Sequence, residues 1–308
     1  MNESILITGA NIGIGKEAAR QLALKNETKK VILLCRNQAK AEAAKKDLEE
    51  KTGKKVFETI IADVSNEDSV RKAVEKIKEP IDAIILNAGG VVGKTAGKVT
   101  PSGMNELAAT NILGHVILVE ELIKRGKLKN AVLLASAEAV PGVKMLGIKP
   151  VSMKDSSVDE FAAVLDGSYF GDHFEALQAY AYVKYAATMW TLSMARKYPD
   201  IKFVAMSPGN TKGTGAPENL PPAMKFMLKY FMMPIVFPLI GGMVHKLEVG
   251  AKRFVDGISD ERYKSGVFYA SKEGKLSGDV VDQSTFFTAL KNTTFQDNAD
   301  KAIHRFID

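Results

Sequence analysis

Short, almost continuously apolar runs at Ser4–Thr8, Val31–Cys35, Val56–Ile61, Ile81–Leu86 and Ala131–Ala135 alternate with amphipathic stretches, and this rhythm limits the available folds sharply. A strand that is apolar on both faces must be covered on both faces. The pattern therefore predicts an α/β fold with a doubly wound parallel sheet and helices on both sides. Helices are expected over Lys16–Lys25, Gln38–Glu50, Glu67–Ile77 and, as one long element, Ser102–Ile123. Beyond Ser136 the rhythm breaks. The segment from Ala137 to about Asp172, rich in Gly, Pro, Ser and Asp, reads as an irregular insertion. A helix Phe174–Lys197, a strand Ile201–Ala205, a last strand Gly266–Tyr269 and a helical tail from Thr285 to Phe306 complete the pattern. No linker interrupts it, so residues 1–308 are expected to form a single domain.

The 308 residues are 46% hydrophobic and 25% charged, ordinary values for an enzyme with a substantial core. The net charge of +6 is spread among interleaved acids and bases, as in Glu42–Lys55, which argues against a nucleic-acid footprint. One cysteine, Cys35, excludes an intrachain disulfide and a multi-cysteine metal site. His115, His173, His245 and His304 are too scattered to predict a metal site. The first strand begins at Ser4, leaving no room for a signal peptide, and a cytoplasmic location is expected.

Thr8-Gly9-Ala10-Asn11-Ile12-Gly13-Ile14-Gly15 joins the first strand to the first helix. Small residues there let a backbone approach a pyrophosphate, and a helix N-terminus adds free N–H groups and a favourable dipole. The second strand ends at Cys35-Arg36, where a fold preferring NAD often carries an acid for the ribose hydroxyls. Arg36 offers instead a planar fork for the 2′-phosphate of NADP, so NADP(H) is expected over NAD(H). Asp63-Val64 ends the third strand, placed either to meet an adenine or to cap the next helix. Tyr180 has Lys184 four residues on within a helical stretch. Tyr198 and Lys202 share the spacing but are separated by Pro199 and a strand, while Tyr182 and Tyr185 have no lysine one turn on.

These landmarks resemble those of the short-chain dehydrogenases/reductases, whose fold is Rossmann-like, from Ser4 to about Gly213. Thr-Gly-x-x-x-Gly-x-Gly matches the family's glycine turn, and Asn87-Ala88-Gly89 its Asn-Ala-Gly motif. Asn111 stands at the helix asparagine, Ser136 at the catalytic serine, and Tyr180-x-x-x-Lys184 at the Tyr/Lys pair. Pro208-Gly209 matches the segment beside the nicotinamide, with Thr211 as partner of the carboxamide. The resemblance implies a dinucleotide cradle from Gly9, Asn11, Ile12, Gly13, Ile14, Gly15, Arg36, Asp63, Val64, Asn87, Ala88, Gly89, Tyr180, Lys184, Pro208, Gly209 and Thr211. The long stretch between Ser136 and Tyr180 is like that of carbonyl reductases and, in shorter form, relatives of retinol and protochlorophyllide reductases. In carbonyl reductases the insertion covers a helix face used elsewhere for assembly, so a monomer or dimer is expected before a tetramer.

A carbonyl accepting hydride builds negative charge on oxygen and needs a proton there. Tyr180 would give it, with the Lys184 ammonium lowering the phenol's pKa, Ser136 holding the oxygen and Asn111 anchoring a proton path. The Met-rich stretch from Pro221 to Met243 falls in the family's substrate lid, about residues 211–246. Its uncharged part, Tyr230–Val244, is shorter than the ~20 residues that span a bilayer. It admits two readings, a wall around a medium or large hydrophobic substrate or a surface for peripheral membrane contact. The rival to an enzyme is a catalytically silent dinucleotide-binding regulator or scaffold.

Overall fold

The computed structural model describes residues 2–91, 93, 95–144, 147–212 and 244–307. Its strands are β1 (Ser4–Thr8), β2 (Lys30–Cys35), β3 (Phe57–Ile61), β4 (Ile81–Leu86), β5 (Leu128–Ala135), β6 (Lys202–Met206), β7 (Val267–Ser271) and β8 (Val280–Asp282). They form one sheet in the order β3-β2-β1-β4-β5-β6-β7-β8, parallel except for the antiparallel pair β7 and β8. The register runs Ile5↔Val31 on one side of β1 and Ile5↔Ala83 on the other. The chain winds outward from β1 to β3 and returns to β4. The carboxyl ends of β1 and β4 therefore diverge around a crevice, where open α/β sheets take ligands.

The helices are α1 (Gly13–Ala23), α2 (Gln38–Thr52), α3 (Glu67–Lys76), α4 (Glu106–Ala108), α5 (Gly114–Lys124), α6 (Val158–Asp166), α7 (Ala176–Lys197), α8 (Leu247–Ser259) and α9 (Thr293–Ile303). Alternation along the strands divides the core in two. Leu6, Ile32, Leu34, Ile84 and Leu134 pack with Val70, Val116 and Val183 of α3, α5 and α7. Ile5, Ile7, Leu33 and Ile85 pack on the other face with Leu22, Leu48 and Phe254 of α1, α2 and α8. Both faces are dry, which is why the strands read as continuous apolar runs.

The long helix expected from Ser102 begins later and is not uniform. Asn105 accepts a hydrogen bond from Ala108 N at 2.8 Å and caps α4. A π-helical turn, Ala109–Leu113, then joins α4 to α5. Upstream, Gly103 sits at φ 85° in a turn closed by its N–H to Thr100 O, so Ser102 and Gly103 lie outside the helix. The insertion is also more ordered than its composition suggests. Ser157 accepts from Glu160 N at 3.2 Å, and Glu160 accepts from the amides of Lys154, Asp155 and Ser156, a cap that starts α6. Helix α6 packs on α7 through Phe161 and Tyr185, stacked with centroids 5.8 Å apart. Asn298 of α9 donates to Ser156 O at 2.9 Å, and Arg305 pairs with Asp159 at 2.7 Å. The insertion and the C-terminal helix thus share a layer over α7. Most of the expected lid, residues 213–243, lies outside the described residues. Among the described residues no helix is long and apolar enough to cross a membrane.

Candidate active site

Where the polypeptide leaves β1, Gly9 adopts φ 66° and Gly13 φ 59°, conformations that favour glycine. Gly9 N–H donates to Leu34 O at 2.8 Å, fastening the turn to β2. Helix α1 starts without a side-chain cap and without an acid in its first turn, so its leading N–H groups face no competing side-chain acceptor. A short anionic group is the natural partner of such an end. Beneath the turn, burial pushes the Cys35 thiol up to about 11, and it stays un-ionised.

The crevice is a cavity of about 670 Å³ that runs from this turn to α7. Gly9, Asn11, Ile12, Gly13, Ile14, Arg36, Asp63, Val64, Asn87, Ala88 and Gly89 line one part of it, and Ser136, Tyr180, Lys184, Pro208, Gly209 and Thr211 another. Gly15 and Asn111 do not line it. A Cβ on Gly15 would come within 2.4 Å of Asn87 Nδ2 and 2.7 Å of Gly9 O, so this glycine lets α1 approach the β4 loop. Asn111 is fully buried in the π-helical turn. Its Nδ2 donates to Gly90 O at 3.0 Å and Leu107 O at 2.9 Å, and its Oδ1 accepts from Gly90 N at 2.9 Å. The side chain clamps the Gly89-Gly90 loop, using both amide hydrogens and one of the two lone pairs on Oδ1. Asp63 does not cap α3 either: Asn66 does so, accepting from Ser69 N at 2.8 Å. Asp63 Oδ1 accepts from Ser65 N and Oγ, and its other oxygen lies 3.9 Å from the exposed Arg36 guanidinium.

At the other end, Tyr180, Lys184 and Thr188 stand one turn apart on α7. Ser136 shares a hydrogen bond of 2.8 Å with the Thr188 hydroxyl, which orients it at the end of β5. Lys184 is 2% exposed and donates from Nζ to Ala135 O at 2.8 Å, with Nζ 5.6 Å from the centre of the Tyr180 ring. Burial pushes Lys184 down to about 7 and Tyr180 well above its ordinary range. The expected lowering of the phenol by the ammonium is therefore reversed in the protein's own field. Burial disfavours the charged form of each group, raising the phenol and lowering the ammonium.

Several supporting residues escaped the sequence reading. Thr188 had a signal, the i, i+4, i+8 spacing from Tyr180. Arg253 had none. It reaches from α8, 4% exposed, to Ser207 O at 3.1 Å, Gly278 O at 2.9 Å and Ser271 Oγ at 3.1 Å, with Glu138 at 3.5 Å. Glu138 in turn accepts from Ser271 N at 3.0 Å and Oγ at 2.8 Å. His245 lies 2.7 Å by Nε2 from Pro208 O, so the Pro208–Thr211 loop is held from beneath.

Comparison with known proteins agrees with this architecture. The sequence profile of the family described as short chain dehydrogenase matches residues 3–140. Over that part the chain is similar to the short-chain dehydrogenases. It is 29% identical over 220 residues to the bovine dehydrogenase/reductase SDR family member 12, covering 71% of this chain and 63% of that protein. It is 29% identical over 312 residues to a chloroplastic protochlorophyllide reductase of Chlamydomonas reinhardtii, covering 92% and 74%. Human retinol dehydrogenase 13 is 34% identical over 128 residues, 41% of this chain and 38% of that one. In three dimensions the chain superposes on L-sorbose reductase of Gluconobacter frateurii, solved with NADPH and L-sorbose, with a TM-score of 0.64 at 17% identity over 89% and 97% of the two chains. At that identity the likeness speaks for the fold alone. The shared fold is the eight-stranded, mostly parallel, Rossmann-like sheet described above.

Proposed function

We propose that this protein is an NAD(P)-dependent oxidoreductase that works chiefly as an NADPH-dependent carbonyl reductase on a medium or large hydrophobic compound. The observation that carries the reading is that Ser136, Tyr180 and Lys184 line the same cavity as the uncapped glycine turn. The turn, the free α1 terminus and a cavity of about 670 Å³ reaching from the turn to α7 fit a dinucleotide. When bound, a nicotinamide supplies the hydride that adds to the carbonyl carbon.

The chain's own residues handle the oxygen. Ser136, oriented by Thr188, is available to hold the carbonyl oxygen as charge develops. Tyr180, kept protonated by burial, gives its hydroxyl proton to that oxygen, forming the alcohol. The tyrosinate left behind is stabilised by Lys184 once the lysine takes up a proton, which its shift to about 7 allows near neutrality. The neutral phenol favours reduction over alcohol oxidation, since the reverse reaction must begin from the ionised form. Arg36 is exposed and unclaimed by any tight ion pair, which suits contact with a 2′-phosphate. Arg36→Leu is expected to erode the preference for NADPH over NADH about 10-fold, measured as the ratio of kcat/KM values.

The layer formed by α6 and α9 over α7 supports a monomer or dimer, because that face of α7 is already covered. We read residues 1–308 as one domain, with its substrate side completed by the stretch around residues 211–246. The test follows NADPH and NADH absorbance with aromatic aldehydes, quinones and long-chain ketones, alongside Tyr180→Phe. Oxidation that disappears in the variant supports the reductase. Tight NADPH binding without turnover of any carbonyl favours the silent regulator instead.

A further inference from the structure

Below the glycine turn lies a buried pair that the proposed chemistry does not use. Thr8 ends β1 with no exposed surface, and His115 of α5 is 1% exposed. Thr8 Oγ1 accepts from Asn87 N and Ala88 N, both at 2.9 Å, and lies 3.0 Å from His115 Nε2. A threonine hydroxyl has one proton and two lone pairs. Both lone pairs are engaged by the amides, so the proton must go to His115 Nε2. That nitrogen is therefore the bare one, the hydrogen sits on Nδ1, and the ring is neutral. A charged imidazolium would aim an N–H at a hydroxyl with no lone pair to offer. Burial, with Lys184 as the charged neighbour, pushes the ring down to about 3, in keeping with that assignment. The Asn111 carbonyl one turn back draws on the Nδ1 hydrogen without full hydrogen-bond geometry.

We propose that His115 is a positioning residue for the dinucleotide cleft: by accepting the Thr8 proton it locks the Thr8 hydroxyl onto the Asn87 and Ala88 amides and fixes the glycine turn against the β4 loop. The proposal rests on the dinucleotide reading of the cavity. It explains why a fully buried core position facing the sheet carries an imidazole where an apolar ring would fill the space. An apolar ring leaves the hydroxyl proton without an acceptor, and the hydroxyl then competes less well for the two amides.

Two measurements on the full chain test it. Nitrogen NMR of histidine-labelled protein, between about pH 5.5 and 8.5, should show a His115 ring with bare Nε2, protonated Nδ1 and no titration. A titrating ring, or one protonated at Nε2, overturns the proposal. NADPH titrations of His115→Phe should show affinity weakened about 10-fold. His115→Gln, whose amide oxygen can reach the Nε2 position, should recover most of it, and His115→Phe should have little added effect in a Thr8→Val background. A space-filling role predicts the opposite order, Phe mild and Gln severe, and overturns the proposal. If His115→Phe does not fold, the spectrum of the unaltered protein and the Gln variant decide. A protein with the expected tautomer that binds neither NADPH nor NADH would overturn the positioning role together with the dinucleotide reading.

Discussion

The two ends of the cavity are made from different materials. The end at β1 and β4 is built from backbone: glycines at positive φ, helix N–H groups, and polar side chains that only hold main chain in place. The end at β5 and α7 is built from side chains, Ser136 and Lys184 buried and Tyr180 partly buried, and desolvation shifts the acidities of the last two. A backbone site tolerates most changes around it but not an added Cβ. A desolvated side-chain site depends on every functional group, and its behaviour depends on pH.

The sharpest way to separate the ends is Tyr180→Phe, expected to lower kcat by about 1,000-fold while NADPH affinity stays within about 3-fold. Comparable losses in both would mean that the phenol holds the dinucleotide and does not act on the oxygen. The next largest effect concerns Lys184. Its pKa falls from 10.5 in the unfolded chain to about 7 in the fold, so between those values the unfolded state binds the extra proton. Stability should therefore rise with pH across that window, on the order of 2 kcal/mol, and Lys184→Met should flatten the rise in denaturant unfolding. No difference between the two profiles would place the lysine in a wetter environment than the structure gives it.

At the backbone end, Gly15→Ala should cost about 1.5 kcal/mol of stability and weaken dinucleotide binding with kcat nearly unchanged, because the methyl meets Asn87 Nδ2 at 2.4 Å. A fall in kcat alone would blur the comparison. The smallest effect lies behind α7, where His304 bridges Glu120 at 2.9 Å and Asp300 at 3.8 Å, tying α9 to α5. The Glu120 hydrogen bond raises its pKa from 6.5 to about 9. The pair's contribution is full below pH 6.5 and lost as pH rises through 9. Because the ring is partly exposed, His304→Gln should cost only about 0.5 kcal/mol at pH 6 and nothing at pH 10.

The contrast also separates what could be read from residue order from what could not. The glycine turn, Asn87-Ala88-Gly89 and Arg36 are local features, and their neighbours along the chain supply the strand before and the helix after. The capping pair Ser157 and Glu160 was equally present, yet the Gly and Ser around it masked the α6 signal. Strand β8 is three residues long, too short for a period to register. The π-helical turn at Asn111 leaves no mark in the apolar pattern, because the helix on either side keeps burying the same face.

The sequence by itself determined the doubly wound sheet, the order of its elements and the Tyr180/Lys184 face, since all three follow from periodicity and spacing within short windows. Only the tertiary structure decided that Asn111 clamps the Gly89-Gly90 loop, that Thr8 meets His115, and that Arg253 ties Ser207 to Ser271 beside Glu138. It alone decided the direction in which Tyr180 and Lys184 titrate. Hydrogen-bond capacity and desolvation belong to groups brought together from distant parts of the chain, and no local pattern records how much water they lose when they meet.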